Sequence, residues 1–111
     1  MAFQEKQLAQ ARENSTNAVT VYSRPADTTS IVKTLIVCNT SGAACTYRLF
    51  FDDNGNTYDE STALVWDQTL SANETIIIDT FLAMATASGT IGYRNSVANA
   101  ITITLFGSEI T

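Results

Sequence analysis

The residues best suited to chemistry lie in one stretch, Asp52-Asp-Asn-Gly-Asn-Thr-Tyr-Asp-Glu60. Loops wrap a hard cation with oxygen-bearing side chains at alternate positions. Asp52, Asn54 and Asn56 stand at the first, third and fifth positions of such a loop, followed by Asp59 and Glu60. The match to a calcium loop is partial. Gly55 falls at the fourth position rather than the sixth, and Ala63 stands where the closing acid belongs. Asp-Asn-Gly-Asn is also the composition of a sharp turn between strands, so no metal is assigned. The chain has two cysteines, Cys38 and Cys45, and no histidine. Two thiols alone do not make a four-ligand zinc site, and a nucleophilic cysteine would lack an imidazole base. The eleven acids are scattered, with no spacing that marks a pair for acid–base or glycosidase work. There is no glycine-rich phosphate loop and no nucleophilic-serine motif. No catalytic residue and no cofactor is assigned, and the expectation is a protein that is not an enzyme.

The elements that would carry these residues are strands. Val19 to Ser23 reads as a short strand, followed by a turn at Arg24-Pro-Ala-Asp27, where Pro25 fixes φ and supplies no N–H. Ser30 to Asn39, Cys45 to Asp52, Ala63 to Gln68, Glu74 to Thr80, Gly89 to Asn95 and Ala100 to Glu109 follow, separated by polar turns. The spacing predicts a single all-β domain over residues 19–111, an antiparallel β-sandwich of jelly-roll or immunoglobulin-like type with about seven or eight strands. Residues 1–18 differ. Ala2 to Glu13 is rich in good helix formers but has a poor apolar stripe. It is expected as an N-terminal arm, helical or extended, that orders against a neighbour.

Thr40-Ser-Gly-Ala43 is expected to close a tight hairpin, with Gly42 free to take positive φ. That register sets Cys38 opposite Cys45 with Cα atoms about 5.5 Å apart, a distance compatible with a disulfide. Two free thiols are the expectation for a protein made in a reducing cytoplasm. Ser96-Val-Ala-Asn99 is expected to join the last two strands in a second hairpin.

Period-two alternation assigns faces. Val32, Ile36 and Cys38 share one face of their strand. Cys45, Tyr47, Leu49 and Phe51 share another, as do Ile101, Ile103 and Leu105. These sets, with Trp66, Ile76 and Ile78, are the expected core. Leu35 and Val37 lie on the opposite face of their strand, which suggests cover on both sides. Phe50 and Phe106 fall on outward faces and are candidates for subunit contact, because aromatics are enriched at interfaces.

At 111 residues and 45% hydrophobic content the chain can bury one core. A net charge of −5 repels phosphate backbones, which argues against nucleic acid as a partner. No run approaches the ~20 apolar residues that span a bilayer, so no membrane partner is assigned. The N-terminus lacks the apolar core of a signal peptide, which points to synthesis in a cytoplasm.

One group of proteins shares these patterns. Tyr22-Ser-Arg-Pro-Ala-Asp-Thr28, then Val37-Cys-Asn39 and Thr40-Ser-Gly42, resembles the opening of small β-sandwich structural proteins encoded by tailed bacteriophages. The turn Leu70-Ser-Ala-Asn-Glu-Thr75 before an isoleucine-rich strand, and the ending Leu105-Phe-Gly-Ser-Glu-Ile-Thr111, are similar to theirs as well. The likeness covers about residues 8 to 111, and the acidic loop from Asp52 to Glu60 departs from it. The resemblance implies a virion component, often a homotrimer, on the capsid or tail. The leading expectation is a capsid decoration (cement) protein bound to the major capsid protein, with Phe3, Leu8, Arg12, Phe50 and Phe106 in contacts. A tail, baseplate or head-fibre part, binding a receptor or glycan through Tyr58 and Trp66, is the alternative. Under the arm reading, removing residues 2–13 abolishes capsid binding and spares the fold.

Overall fold

A computed structural model of the chain describes residues 2–85 and 88–111. Eight strands run in chain order: β1 (Phe3–Arg12), β2 (Val19–Ser23), β3 (Thr29–Asn39), β4 (Cys45–Asp52), β5 (Ala63–Leu70), β6 (Thr75–Met84), β7 (Thr90–Asn95) and β8 (Ile101–Ile110). They form two four-stranded antiparallel sheets, β1-β8-β3-β6 and β2-β7-β4-β5. This interleaved order is that of a jelly roll, and it decides between the two sandwich types left open by the sequence.

The order also changes which strands are partners. Every connection except β4–β5 crosses from one sheet to the other. The expected hairpins at Thr40–Ala43 and Ser96–Asn99 are therefore inter-sheet corners. Cys38 pairs with Thr75 and Thr102, whereas Cys45 pairs with Leu70. The two thiols are free, Cys45 buried and Cys38 half-buried. Glycine is not the residue that turns the corners. The positive-φ positions among the described residues are Asp27, Asp67, Asn73 and Asn99, whose short polar side chains tolerate the left-handed region. Asn39, fully buried, ties two corners together. Its amide donates to the carbonyls of Ala43, Leu70 and Ser71, and its Oδ1 accepts from the Ser41 N–H and hydroxyl.

The segment expected as an arm is extended, and it is an edge strand of the sandwich. β1 pairs with β8 from Phe3↔Ile110 to Arg12↔Thr102. Helix preferences of a few tenths of a kcal/mol per residue yield here to a ladder of backbone bonds and to packing of Leu8, Ala9 and Ala11 against the core. Residues 13–17 are tied to the other sheet. The Tyr93 hydroxyl accepts the Glu13 N–H at 2.6 Å, and Arg94 and Asn95 donate to the carbonyls of Thr16 and Ser15. Position 1 of the expected arm lies outside the described residues.

The core lies between the sheets. Val32, Cys45, Tyr47, Leu49, Ile101, Ile103 and Leu105 are buried as alternation predicts, and Phe51, Ile76 and Ile78 pack against its margin. Three expectations need correction. Trp66 is 42% exposed on the outer face of β5. Ile36 and Cys38 are half-buried on the outer face of β3, and Leu35 and Val37 hold the core instead. The cause is a β-bulge. Val32 pairs with Gly107 but Thr34 pairs with Phe106, so Lys33 is an extra residue that reverses inside and outside for the rest of the strand. Leu8 is the equivalent extra residue in β1, between Gln7↔Phe106 and Ala9↔Leu105. Both bulges flank β8 at Phe106–Gly107. There the backbones crowd: a Cβ on Gly107 would sit 1.9 Å from the Ile31 carbonyl oxygen.

Candidate interaction surface

The outer face of β2-β7-β4-β5 carries an aromatic and arginine cluster. β4 turns Arg48 and Phe50 outward, and β5 lies beside it. Tyr47 pairs with Gln68 and Leu49 with Val65, so Trp66 and Asp67 together face Arg48. Asp67 has φ 51° and forms the left-handed half of this bulge. Arg48 uses both neighbours. Its guanidinium carbon lies 3.6 Å from the Trp66 ring centroid, and Nε and Nη2 fork onto Asp67 at 2.6 and 2.9 Å. Arg94 approaches the same carboxylate at 3.7 Å. The Arg48 hydrogen bond holds the Asp67 carboxyl below its ordinary pKa, and Asp67 raises that of Arg48, so each keeps the other charged.

Phe50 points outward as expected, yet it is 1% exposed. The loop of residues 53–62 folds back and lays Tyr58 over it, ring centroids 5.6 Å apart, while Trp66 meets it edge-on at 6.3 Å. Tyr58 fits there because β7 offers Gly92. A Cβ on Gly92 would fall 2.7 Å from the Tyr58 ring. The Thr90 hydroxyl donates to the Gly55 carbonyl and the Tyr58 hydroxyl donates to Thr90. The short contact from Tyr58 to Thr20, 2.6 Å, is then donated by Thr20. Phe50 is thus an anchor for its own loop and presents no free ring to another subunit.

The acidic loop has the geometry of turns. Asp52 accepts the N–H groups of Asn54 and Thr57, and Asp59 accepts the N–H and hydroxyl of Ser61. Those bonds from Ser61 hold the Asp59 carboxyl below its ordinary value. Among the described residues, no three cysteine or acidic side chains gather as a metal site would need.

The outer face of β1-β8-β3-β6 differs. Phe3, Arg12 and Phe106 share it, with Phe3 60% and Phe106 38% exposed. Leu8 sits half-buried at its bulge. Arg12 is exposed and donates to the Asn99 carbonyl at 3.0 Å. An open depression of about 370 Å³ lies where the bulges meet, lined by Glu5, Lys6, Gln7, Lys33, Thr34, Phe106 and Gly107. Its lysines are engaged: Lys33 with Glu5 at 2.6 Å and Lys6 with Glu109 at 2.8 Å. Sequence reasoning missed the most exposed apolar residues of this face, Ile77 and Phe81 on β6, at 65% and 68%. Alternation through Ile76-Ile-Ile78 was the available signal, since one of three consecutive isoleucines must point out.

The fold defines the class as an eight-stranded jelly roll. No protein-family model matches the chain, and no curated protein sequence matches it. Among solved structures it is similar to the coat protein of Tobacco streak virus, with a TM-score of 0.51 over 99% of this chain and 85% of that one. Identity is 9%, so the likeness is one of fold.

Proposed function

We propose that this chain is a structural protein of a bacteriophage virion, and specifically a capsid decoration protein that bridges subunits of the major capsid protein. The observation that carries this reading is the outer face of β1-β8-β3-β6. Phe3, Ile77, Phe81 and Phe106 are all exposed on one sheet face, spread from its β1 edge to its β6 edge, and exposed apolar side chains on one face mark it as a contact surface. The jelly-roll likeness to a viral coat protein and the sequence resemblance to phage sandwich proteins support the same reading. The protein acts by contact, as a symmetric oligomer that repeats one patch on each copy. A homotrimer is the form the resemblance implies. The alternative, a glycan- or receptor-binding part of a tail, baseplate or fibre, would rely on Tyr58 and Trp66. Tyr58 is committed to Phe50, Gly92 and two threonines, and one side of Trp66 is covered by Arg48.

The test is co-sedimentation of purified protein with undecorated capsids, comparing the native chain with Phe106→Asp. Binding by the native chain and its loss in the variant would support the decoration reading. A folded protein that ignores capsids but binds host cells would replace it with the fibre or tail reading.

A further inference from the structure

We infer that β6 is a self-association edge, and that two copies of this chain join through antiparallel β6–β6 pairing centred on Ile77. A jelly roll of two open sheets has four edge strands, here β1, β6, β2 and β5. Exposed edges invite pairing, and proteins guard them with charge, bulges or short length. Three edges are guarded. β1 carries Glu5, Lys6 and Arg12 and is bulged at Leu8. β2 has five residues and a bulge between Thr20 and Tyr22. The register of β5 shifts twice, and it carries Asp67. β6 runs ten residues, Thr-Ile-Ile-Ile-Asp-Thr-Phe-Leu-Ala-Met, with Asp79 as its single charge and one register shift beyond it, so its first half, Thr75 to Asp79, is a regular and nearly uncharged edge.

The register follows from the backbone. The Asn39 N–H donates to the Glu74 carbonyl at 2.8 Å, in line with the Cys38↔Thr75 pairing. The Glu74 C=O and the N–H and C=O groups of Ile76 and Ile78 therefore turn toward β3, while the Glu74 N–H closes the turn onto the Ser71 carbonyl; the N–H and C=O groups of Thr75, Ile77 and Asp79 face the open side. The regular stretch is bounded at one end by the turn at Asn73, φ 61°, and at the other by the irregularity between Asp79 and Leu82. Its centre is Ile77. Pairing about that centre sets Ile77 opposite its own copy and Ile76 opposite Ile78 of the second copy. Thr75 lies opposite Asp79 of the second copy, so a hydroxyl meets each carboxylate. A register centred on Asp79 would oppose two carboxylates, which is unfavourable.

The half-buried Ile76 and Ile78 face the core side of β6, so pairing also joins the two cores at their margins. The regular stretch from Thr75 to Asp79 is ~17 Å long, so the backbone pairing is short, and the meeting of Ile77, 65% exposed in the free chain, with its own copy supplies the apolar centre of the contact. This contact is two-fold and separate from any three-fold association; both together would give six copies.

The experiment is light scattering over a dilution series. The expected mass is twice the chain mass of 12.0 kDa, or six times it. Ile77→Lys, at a 65% exposed position, is expected to halve the two-fold species with circular dichroism unchanged. Thr75→Pro, which removes an open-side N–H, is expected to do the same and serves if the lysine variant misfolds. Asp79→Asn separates registers, because it tightens association strongly only if two carboxylates face each other. A native mass of one or three chains, or an Ile77→Lys variant of unchanged mass, overturns the proposal. So does strong tightening by Asp79→Asn. A monomer whose capsid binding is lost on Ile77→Lys also overturns it and assigns the edge to a capsid strand.

Discussion

Replacing Gly107 by alanine is the smallest change that should do the most damage. The added Cβ would lie 1.9 Å from the Ile31 carbonyl oxygen, 2.9 Å from its carbon and 3.0 Å from the Val32 Cα. All three atoms are backbone, so no rotamer change relieves the overlap. β8 and β3 must separate by roughly 1.5 Å to restore ordinary contact, at the point where Val32 pairs with Gly107. Loss of two ladder bonds costs about 2 kcal/mol, and the strain of an overfilled site adds about 1–3 kcal/mol. Reduced entropy of the unfolded chain returns about 0.4–1 kcal/mol. The net expectation is a loss of about 2–5 kcal/mol. For a chain of this length that is a fall in Tm on the order of 10 °C. Urea unfolding followed by circular dichroism measures it, with the midpoint displaced and the slope unchanged. A loss below about 1 kcal/mol would refute the argument that β3 and β8 touch too closely for any side chain.

Arg48→Ala should uncover Trp66, the one tryptophan of the chain. Its emission is expected to shift to longer wavelength, and Arg48→Lys should restore little, because lysine gives neither the planar stack nor the fork onto Asp67; an unchanged spectrum would count against the stack. Stability should fall at both ends of the pH range. The Lys6 and then the Tyr22 hydrogen bonds hold Glu109 below its ordinary 4.5, so its contribution is full above that value and is lost as pH falls through the folded-state pKa. Burial and then the Glu109 bond push Tyr22 up to about 12 from 10.0, so the folded state resists its ionisation and loses stability as pH rises from 10.0 toward 12. Thermal melts across pH check this, and a Glu109→Gln variant with an undiminished acid slope would sink the assignment. Deleting residues 2–13 should unfold or aggregate the protein rather than leave an intact sandwich, because it removes β1 and bares β8; a monomeric product with native circular dichroism would show that β1 is dispensable.

How much of this was legible beforehand depended on whether a feature is local. Strand existence is local. Alternation in Cys45–Phe51 and Ile101–Leu105 showed both the strands and their buried faces, because side chains of a strand point to opposite sides whatever its partner. The turns at Asp27, Asn73 and Asn99 were marked by residues that accept a left-handed backbone. Phe106 was readable as outward from alternation in its strand, whereas Phe3 was read only as part of an arm. Ile36 and Cys38 were assigned to the wrong face because the bulge at Lys33 is imposed by the neighbouring strand, β8, and leaves no mark in the residues of β3 themselves.

The sequence by itself determined an all-β sandwich, most of its strand boundaries and much of its core. Only the tertiary structure decided that consecutive strands lie in opposite sheets and that β1 belongs to the sandwich. It also decided that Phe50 is capped by a loop and that β6 is an edge left open. Each of these is a relation between segments far apart in the chain. Period and propensity act over a few residues, whereas strand order is settled by which faces can be buried together, and that competition involves the whole molecule at once.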